Sequence, residues 1–252
     1  MPDPHPSHRQ RAHTVRLEWG PVGAAAIAPG CGVAVVVDVL SFTTSVTLAV
    51  ERGATVLPYR WRDPSAEEYA AAHDAALAGG RRAVLAQGTP SLSPASLVGL
   101  AGVERLVLPS PNGSTISLGL ADSGASVVAA CLRNAAAVAD WLAPRAGEGL
   151  AVVAAGERWP DGSLRPAVED LWGAGAVLAG LAERGVAGFS PEAELAASAY
   201  RSVAGRLPEL LPACASGLEL VDGGFAEDVR LAAELDASPV VPVLTGAGFT
   251  RG

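Results

Sequence analysis

Residues 33–45 read VAVVVDVLSFTTS, and this stretch decides the fold. Five apolar, mostly β-branched residues, Val33 to Val37, end abruptly in Asp38, and Ser41, Thr43, Thr44 and Ser45 follow within a turn before a new apolar segment begins. A continuous apolar run of this length fits a strand buried on both faces, as in a parallel sheet covered by helices. The hydroxyls fall where the next helix should start. A helix N-terminus has unpaired N–H groups and the positive end of a dipole, so hydroxyls and amides gathered there suit a phosphate or another oxyanion, while the carboxylate suits a hard metal.

Outward from this stretch, short β-branched runs alternate with Ala/Leu-rich segments. Strands are expected near Val15 to Trp19, Val33 to Asp38, Thr55 to Tyr59, Ala83 to Gln87, Arg105 to Pro109, Ser126 to Cys131, Leu150 to Ala155 and Val240 to Leu244. Helices are expected over Thr43 to Arg52, Ser65 to Ala78, Ser114 to Asp122, Ala135 to Ala143, Pro166 to Arg184, Pro191 to Ala204 and Ala226 to Leu235. The alternation predicts an α/β fold, three-layer α/β/α, with a largely parallel or mixed sheet. A faint echo, VAVVVD leading to ERGA at Glu51 to Ala54 and LAVVAAGE leading to ERGV at Glu183 to Val186, is compatible with two related halves. No linker separates them, so residues 14–252 are expected to form a single domain behind a disordered tail of residues 1–13.

Half of the 252 residues are apolar, which makes the chain globular. No apolar run reaches the roughly 18 residues of a membrane span, and the first residues show no hydrophobic signal region. A cytoplasmic protein with no membrane partner is expected. The net charge of −8 argues against a nucleic-acid partner. All 18 cations are arginine, so a Walker lysine and Schiff-base chemistry are excluded. Of four histidines only His73 lies outside the first thirteen residues, and Cys31, Cys131 and Cys214 lack metal-site spacing. Acid–base work is therefore left to carboxylates, with or without a metal.

Four polar clusters follow four apolar runs: Asp38 to Ser45, Ser110 to Thr115 (SPNGST), Arg133 with Asn134, and Gly156 to Asp170 (GERWPDGSLRPAVED). In an open α/β sheet the ligand crevice lies beyond the carboxyl ends of the strands, so parallel strands would bring these clusters together. Asn112-Gly113 is turn chemistry and Ser114 a helix cap, and both can equally present N–H groups to an anion. Asn134 can be a cap or a ligand. Asp170 shares a helical face with Ala174, Val177 and Leu181, so it needs a metal or an arginine as partner if it is ionised there. Arg133, Arg158 and Arg165 supply guanidinium forks for phosphate, sulfonate or carboxylate.

The order DVLSFTTS, SPNGST, CLRNAAAVA, AAGER and VEDLWGAGAVL resembles the successive signatures of the 2-phosphosulfolactate phosphatases from about Val33 to Val243. The resemblance implies a magnesium-dependent phosphatase of the coenzyme M route with an α/β/α fold. It places Asp38, Thr43 and Thr44 on the family's Asp-Val-Leu-Arg-Ala-Thr-Thr stretch, Asn112, Gly113 and Ser114 on its Thr-Asn-Gly-Thr turn, and Asn134 on its Leu-Asn-Ala step. Glu169 and Asp170 fall on its Glu-Asp helix. Two departures stand out. Ser41 and Phe42 replace Arg-Ala, and QGTPSLSPASL (Gln87 to Leu97) stands for the family's Gly-Glu-Arg and Gly-Asn-Ser-Pro loop. The expected activity is Mg2+-dependent hydrolysis of a small phosphorylated acid. Asp38, Glu169 and Asp170 would be catalytic and metal-binding, and Ser41, Thr43, Thr44, Asn112, Gly113, Ser114, Arg133, Asn134, Glu157, Arg158 and Arg165 substrate-binding. A two-fold homo-oligomer is the expected assembly. The rival reading is a noncatalytic anion-binding or regulatory protein on the same scaffold, and a nucleotide-binding protein is disfavoured because neither GxGxxG nor a Walker motif occurs.

Overall fold

The computed structural model describes residues 5–81 and 89–252. Among them, nine strands form one mixed sheet between helical layers, the expected three-layer α/β/α arrangement. β2 (Val33–Val37) runs parallel to β6 (Ser126–Ala130) on one side and to β7 (Leu150–Ala154) on the other, and β1 (Val15–Trp19) continues the parallel set beyond β7. A second parallel set contains β3 (Thr55–Tyr59), β5 (Arg105–Pro109) and β4 (Ala76–Leu77). The antiparallel hairpin β10 (Pro242–Thr245) and β11 (Gly248–Arg251) joins the two sets by pairing with β6 and β3.

The pleat sorts β2 between two cores. Val33, Val35 and Val37 pack with α5 (Ala135–Leu142), α6 (Val168–Glu183) and α7 (Pro191–Arg201), while Ala34 and Val36 pack with α1 (Gly20–Ile27), α2 (Phe42–Glu51) and α4 (Gly113–Ala121). Period-two alternation places successive side chains on opposite faces, and each fully buried valine contributes about 1.5–3 kcal/mol. α2 is buried from Phe42 to Val50. Its hydroxyls must therefore find partners inside the protein.

Several elements differ from the sequence expectation. The helix expected over Ser65 to Ala78 stops at Ala72 as α3 (Ser65–Ala72), because Asp74 takes a left-handed φ of 48° and the chain turns into β4. The strand expected over Ala83 to Gln87 lies outside the described residues. α1, rich in glycine and started by Gly20-Pro21, was not expected; it is held by packing on β1, β7 and α4. α8 (Leu207–Ala213) and α9 (Ala215–Asp222) fill a stretch before α10 (Ala226–Ala232) to which the sequence pattern assigns no element, and β8 (Glu157–Arg158) pairs with β9 (Leu164–Arg165) as a separate hairpin. Part of the segment expected to fray packs on the body: buried Gln10 exchanges hydrogen bonds with the main chain of Leu17 at 2.8 and 3.2 Å. Among the described residues no helix is long and apolar enough to cross a membrane.

Candidate active site

Asp38 follows β2, and its carboxylate ties two helix starts together. Oδ1 accepts from the N–H of Phe42, the first residue of α2, and Oδ2 from the N–H of Gly113, the first residue of α4, each at 3.1 Å. Two helix N-termini thus direct their positive ends at one carboxylate. Asp170, in the first turn of α6, does the same for two loops: Oδ1 accepts from Val39 N at 2.7 Å and Oδ2 from Gly156 N at 2.8 Å. The ends of β2, β5 and β7 therefore converge through Asp38 and Asp170. The partner that Asp170 requires on its apolar face is main chain, not an arginine. Gly173 lets α6 come this close, since a Cβ there would meet Val39 and Val37 at 2.6 and 2.8 Å.

Asn112 and Glu157 join the same place. Asn112 donates from Nδ2 to Glu157 Oε2 at 2.9 Å and accepts at Oδ1 from Arg158 Nε at 3.2 Å. These three residues line a cavity of about 220 Å³ whose other walls include Trp19, Gly20 and Leu164. Glu169 is buried and accepts from the Cys214 thiol at 3.4 Å. Arg165 borders the group from the β8–β9 hairpin, with Nη2 on Ser216 Oγ at 3.0 Å and its guanidinium over Trp159.

Other residues expected to bind substrate have internal partners instead. Thr43 Oγ1 donates to Asp38 O, Thr44 Oγ1 to Val39 O and Ser114 Oγ to Leu108 O, at 2.8, 2.8 and 3.0 Å. In a fully buried helix start, a hydroxyl satisfies the nearest carbonyl before any ligand arrives. Asn134 is wholly buried, accepting from Cys131 N and donating to Ala129 O and Val240 O. Arg133 turns to α10, where it donates to Leu231 O and pairs with Glu234. Neither joins the cluster around Asp38 and Asp170, because β6 delivers them to the buried seam with α10 and the segment before β10.

The sequence reading missed four residues that stand here. Arg81 donates from Nη2 to Ser41 Oγ at 2.7 Å, and Arg62 donates from Nε to Pro109 O at 3.3 Å. Buried Asp228 of α10 faces Arg81, and Cys214 faces Glu169. The only available signal was arginine bordering apolar strands, which surface charges share.

Electrostatics mark this cluster. Burial, opposed by the two N–H donors, pushes Asp38 up to about 6, and Glu169 adds to the rise. Burial followed by Asp38 and Glu169 pushes Glu157 up to about 7. Asp170 is raised by burial and then by Asp38 and Glu169. Burial, then Glu169, takes the Cys214 thiol to about 12, so it stays an S–H donor. Each raised acid binds more protons folded than unfolded between its ordinary value near 4 and its folded value, so stability falls as pH climbs through that window. From pH 5.5 to 8 the loss should be about 2–3 kcal/mol, or several degrees in Tm. Thermal unfolding in chelator at both pH values measures it, and a Tm that rises over this interval contradicts the buried acid cluster.

The same acids bear on a metal. Four carboxylates that repel one another are the donor chemistry of a hard dication, although among the described residues no three acidic, thiol or imidazole groups form a ready ligand set. Magnesium is compatible with that, since it is held by one or two carboxylates plus waters and substrate phosphate.

Residues 25–247 match the family model described as 2-phosphosulpholactate phosphatase. The chain is 32% identical over 216 residues to a probable 2-phosphosulfolactate phosphatase of Deinococcus radiodurans, covering 84% of this chain and 87% of that protein. It is 33% identical over 211 residues to a protein of the same name from Carboxydothermus hydrogenoformans, covering 82% and 84%. With its loops gathered on Asp38 and Asp170 and its length matched almost throughout, the chain belongs to the 2-phosphosulpholactate phosphatase family of phosphoric monoester hydrolases.

Proposed function

We propose that this enzyme hydrolyses a small phosphorylated acid of the 2-phosphosulfolactate kind, with Mg2+ as cofactor. The observation that carries the reading is the convergence of Asp38, Asp170, Asn112 and Glu157 from four separate segments, in a chain whose relatives bear that name. Asp38, with Glu169 or Asp170, would hold the ion, which when bound offsets phosphoryl charge. A role in coenzyme M synthesis is part of the same reading, taken from the family resemblance, and a cytoplasmic location and a two-fold homodimer are added to it from the composition and from the default symmetry of oligomers.

Glu157 is the group we assign to proton transfer. Its pKa of about 7 lies near working pH, it lines the cavity, and Asn112, itself held by Arg158, orients it. Water oxygen bonds to phosphorus as the ester P–O bond breaks, and protonated Glu157 gives its proton to the leaving oxygen. A proton from the attacking water then replaces it. Glu157→Gln keeps the hydrogen bond from Asn112 and should lower kcat about 10²–10⁴-fold, removing the loss of rate above pH 7. An unchanged pH–rate profile would falsify this role.

Phosphate release from a panel of small phosphorylated acids, with Mg2+ and with chelator, tests the reading as a whole. Turnover that chelator abolishes supports it. Tight binding without turnover returns the chain to the noncatalytic anion-binding alternative.

A further inference from the structure

Arg81 and Arg62 stand beside Asp38, although no polar cluster of the sequence contains them. Arg81 holds Ser41 Oγ through Nη2 and lies over the Phe225 ring, 5.5 Å from its centroid. Its Nε faces Asp228 Oδ2 at 3.5 Å, and among the described residues both atoms are buried without a hydrogen-bond partner. Asp228 is in turn gripped by Ser93 Oγ and by Ala95 N, the latter at 3.0 Å. Arg62 comes from the loop after β3. Its guanidinium is held below its usual pKa by burial and then by the charge of Arg81, so the two cations are neighbours, and both interact with Asp38. Together with Glu219, Leu220 and Phe225 they line an open cavity of about 390 Å³.

Arg81 is largely buried and Arg62 stands exposed at the mouth of the cavity, and two neighbouring like charges lower their free energy when an anion joins them. Asp228, then Asp38, Glu157 and Glu219, offset the charge of Arg81, whereas Arg62 has Asp38 as its acidic neighbour and faces the cavity opening. Guanidinium forks match the oxygens of carboxylate or sulfonate two at a time. Glu157 serves the ester oxygen in the proposed reaction, and Asp38 interacts with both Glu157 and Arg81. The remaining acid group of the substrate can then be taken up by the arginines. We propose that Arg62 and Arg81 form a paired-guanidinium subsite that selects the second, non-reacting oxyanion of a phosphorylated acid, with Asp228 as the positioning residue that aims Arg81. The proposal rests on the phosphatase reading for its place in catalysis, but binding of a second oxyanion tests it separately.

Sulfoacetate, which carries two oxyanions and no phosphate, is the probe for titration calorimetry. Arg81→Met leaves Asp228 unpaired, so the double variant Arg81→Met/Asp228→Asn is measured as well, with Tm as the check on folding. Sulfoacetate should bind the folded variants about 100-fold more weakly than the parent protein, as expected on loss of a charged hydrogen-bonded pair. Asp228→Asn alone should raise KM for phosphoglycolate more than it lowers kcat. The ratio of kcat/KM for phosphoglycolate over ethyl phosphate should collapse in Arg81→Met. Sulfoacetate binding equal to that of the parent, or equal losses on both phosphate esters, overturns the subsite. Absence of turnover in the parent protein strikes the phosphatase reading alone, and weakened sulfoacetate binding in the variants then still supports the subsite.

Discussion

Asp38→Asn should abolish turnover, by at least about 10³-fold, while leaving Tm at pH 8 within a few degrees of the parent. Two opposing effects on stability are involved. Asn offers one oxygen and one NH2 group where Asp38 offers two acceptors, so a donor faces either Phe42 N or Gly113 N, at a cost of about 1–3 kcal/mol. Against this, the buried carboxylate is raised to about 6, so keeping it ionised at pH 8 already costs about 3 kcal/mol relative to an unshifted acid. The two terms nearly cancel. Asp38→Ala, by contrast, leaves both N–H groups without the carboxylate and should unfold far more readily. Phosphate release together with thermal unfolding decides the point. Turnover within tenfold of the parent removes Asp38 from the machinery, and a large fall in Tm for the Asn variant shows that the donor clash outweighs the charge.

Gly113→Ala should damage both fold and activity for a purely steric reason. A Cβ at Gly113 would run into the Phe42 ring and stand 2.8 Å from Asp38 Oδ2. Phe42 cannot retreat, because it is fully buried edge-on against Phe249 with ring centroids 6.2 Å apart. The backbone of Gly113 is not left-handed, so strained conformation has no part in the effect. Overpacking of this kind costs about 1–3 kcal/mol, and alanine's better helix propensity returns about 1 kcal/mol at most. The larger loss is functional. Relief of the clash moves α4 away from Asp38, breaking the bond from Gly113 N and displacing Asn112 from Glu157. Activity should fall at least about 100-fold, as a misplacement near 1 Å does, with Tm lowered by several degrees. Gly119→Ala, where a Cβ meets nothing within 4 Å on the same helix, is the control. Equal activities for the two variants would count against the close approach at Gly113.

Strands are legible in the sequence where burial alone chooses the residue type. β2, β3, β5 and β7 lie where β-branched runs placed them, because a strand covered on both faces admits little but valine, leucine and alanine. α1 was missed because its helix is made by packing on β1 and α4, against the propensity of its glycines. Polar residues were harder to assign. Thr43, Thr44, Ser114 and Asn134 have the chemistry of both ligands and caps, and here each is tied to neighbouring main chain inside the protein, the three hydroxyls donating to carbonyls that precede their helices.

The sequence by itself determined the layered α/β architecture, the delivery of Asp38 to the end of a central strand, and an acid chemistry without lysine. Those properties follow from local periodicity and residue type. Which acids meet, and that Arg81 reaches Ser41 while Arg133 turns away to α10, was decided by tertiary structure alone. Forty residues separate Arg81 from Ser41 and 131 separate Asp170 from Val39, so their pairing depends on how the strands are ordered in the sheet, which local patterns do not encode.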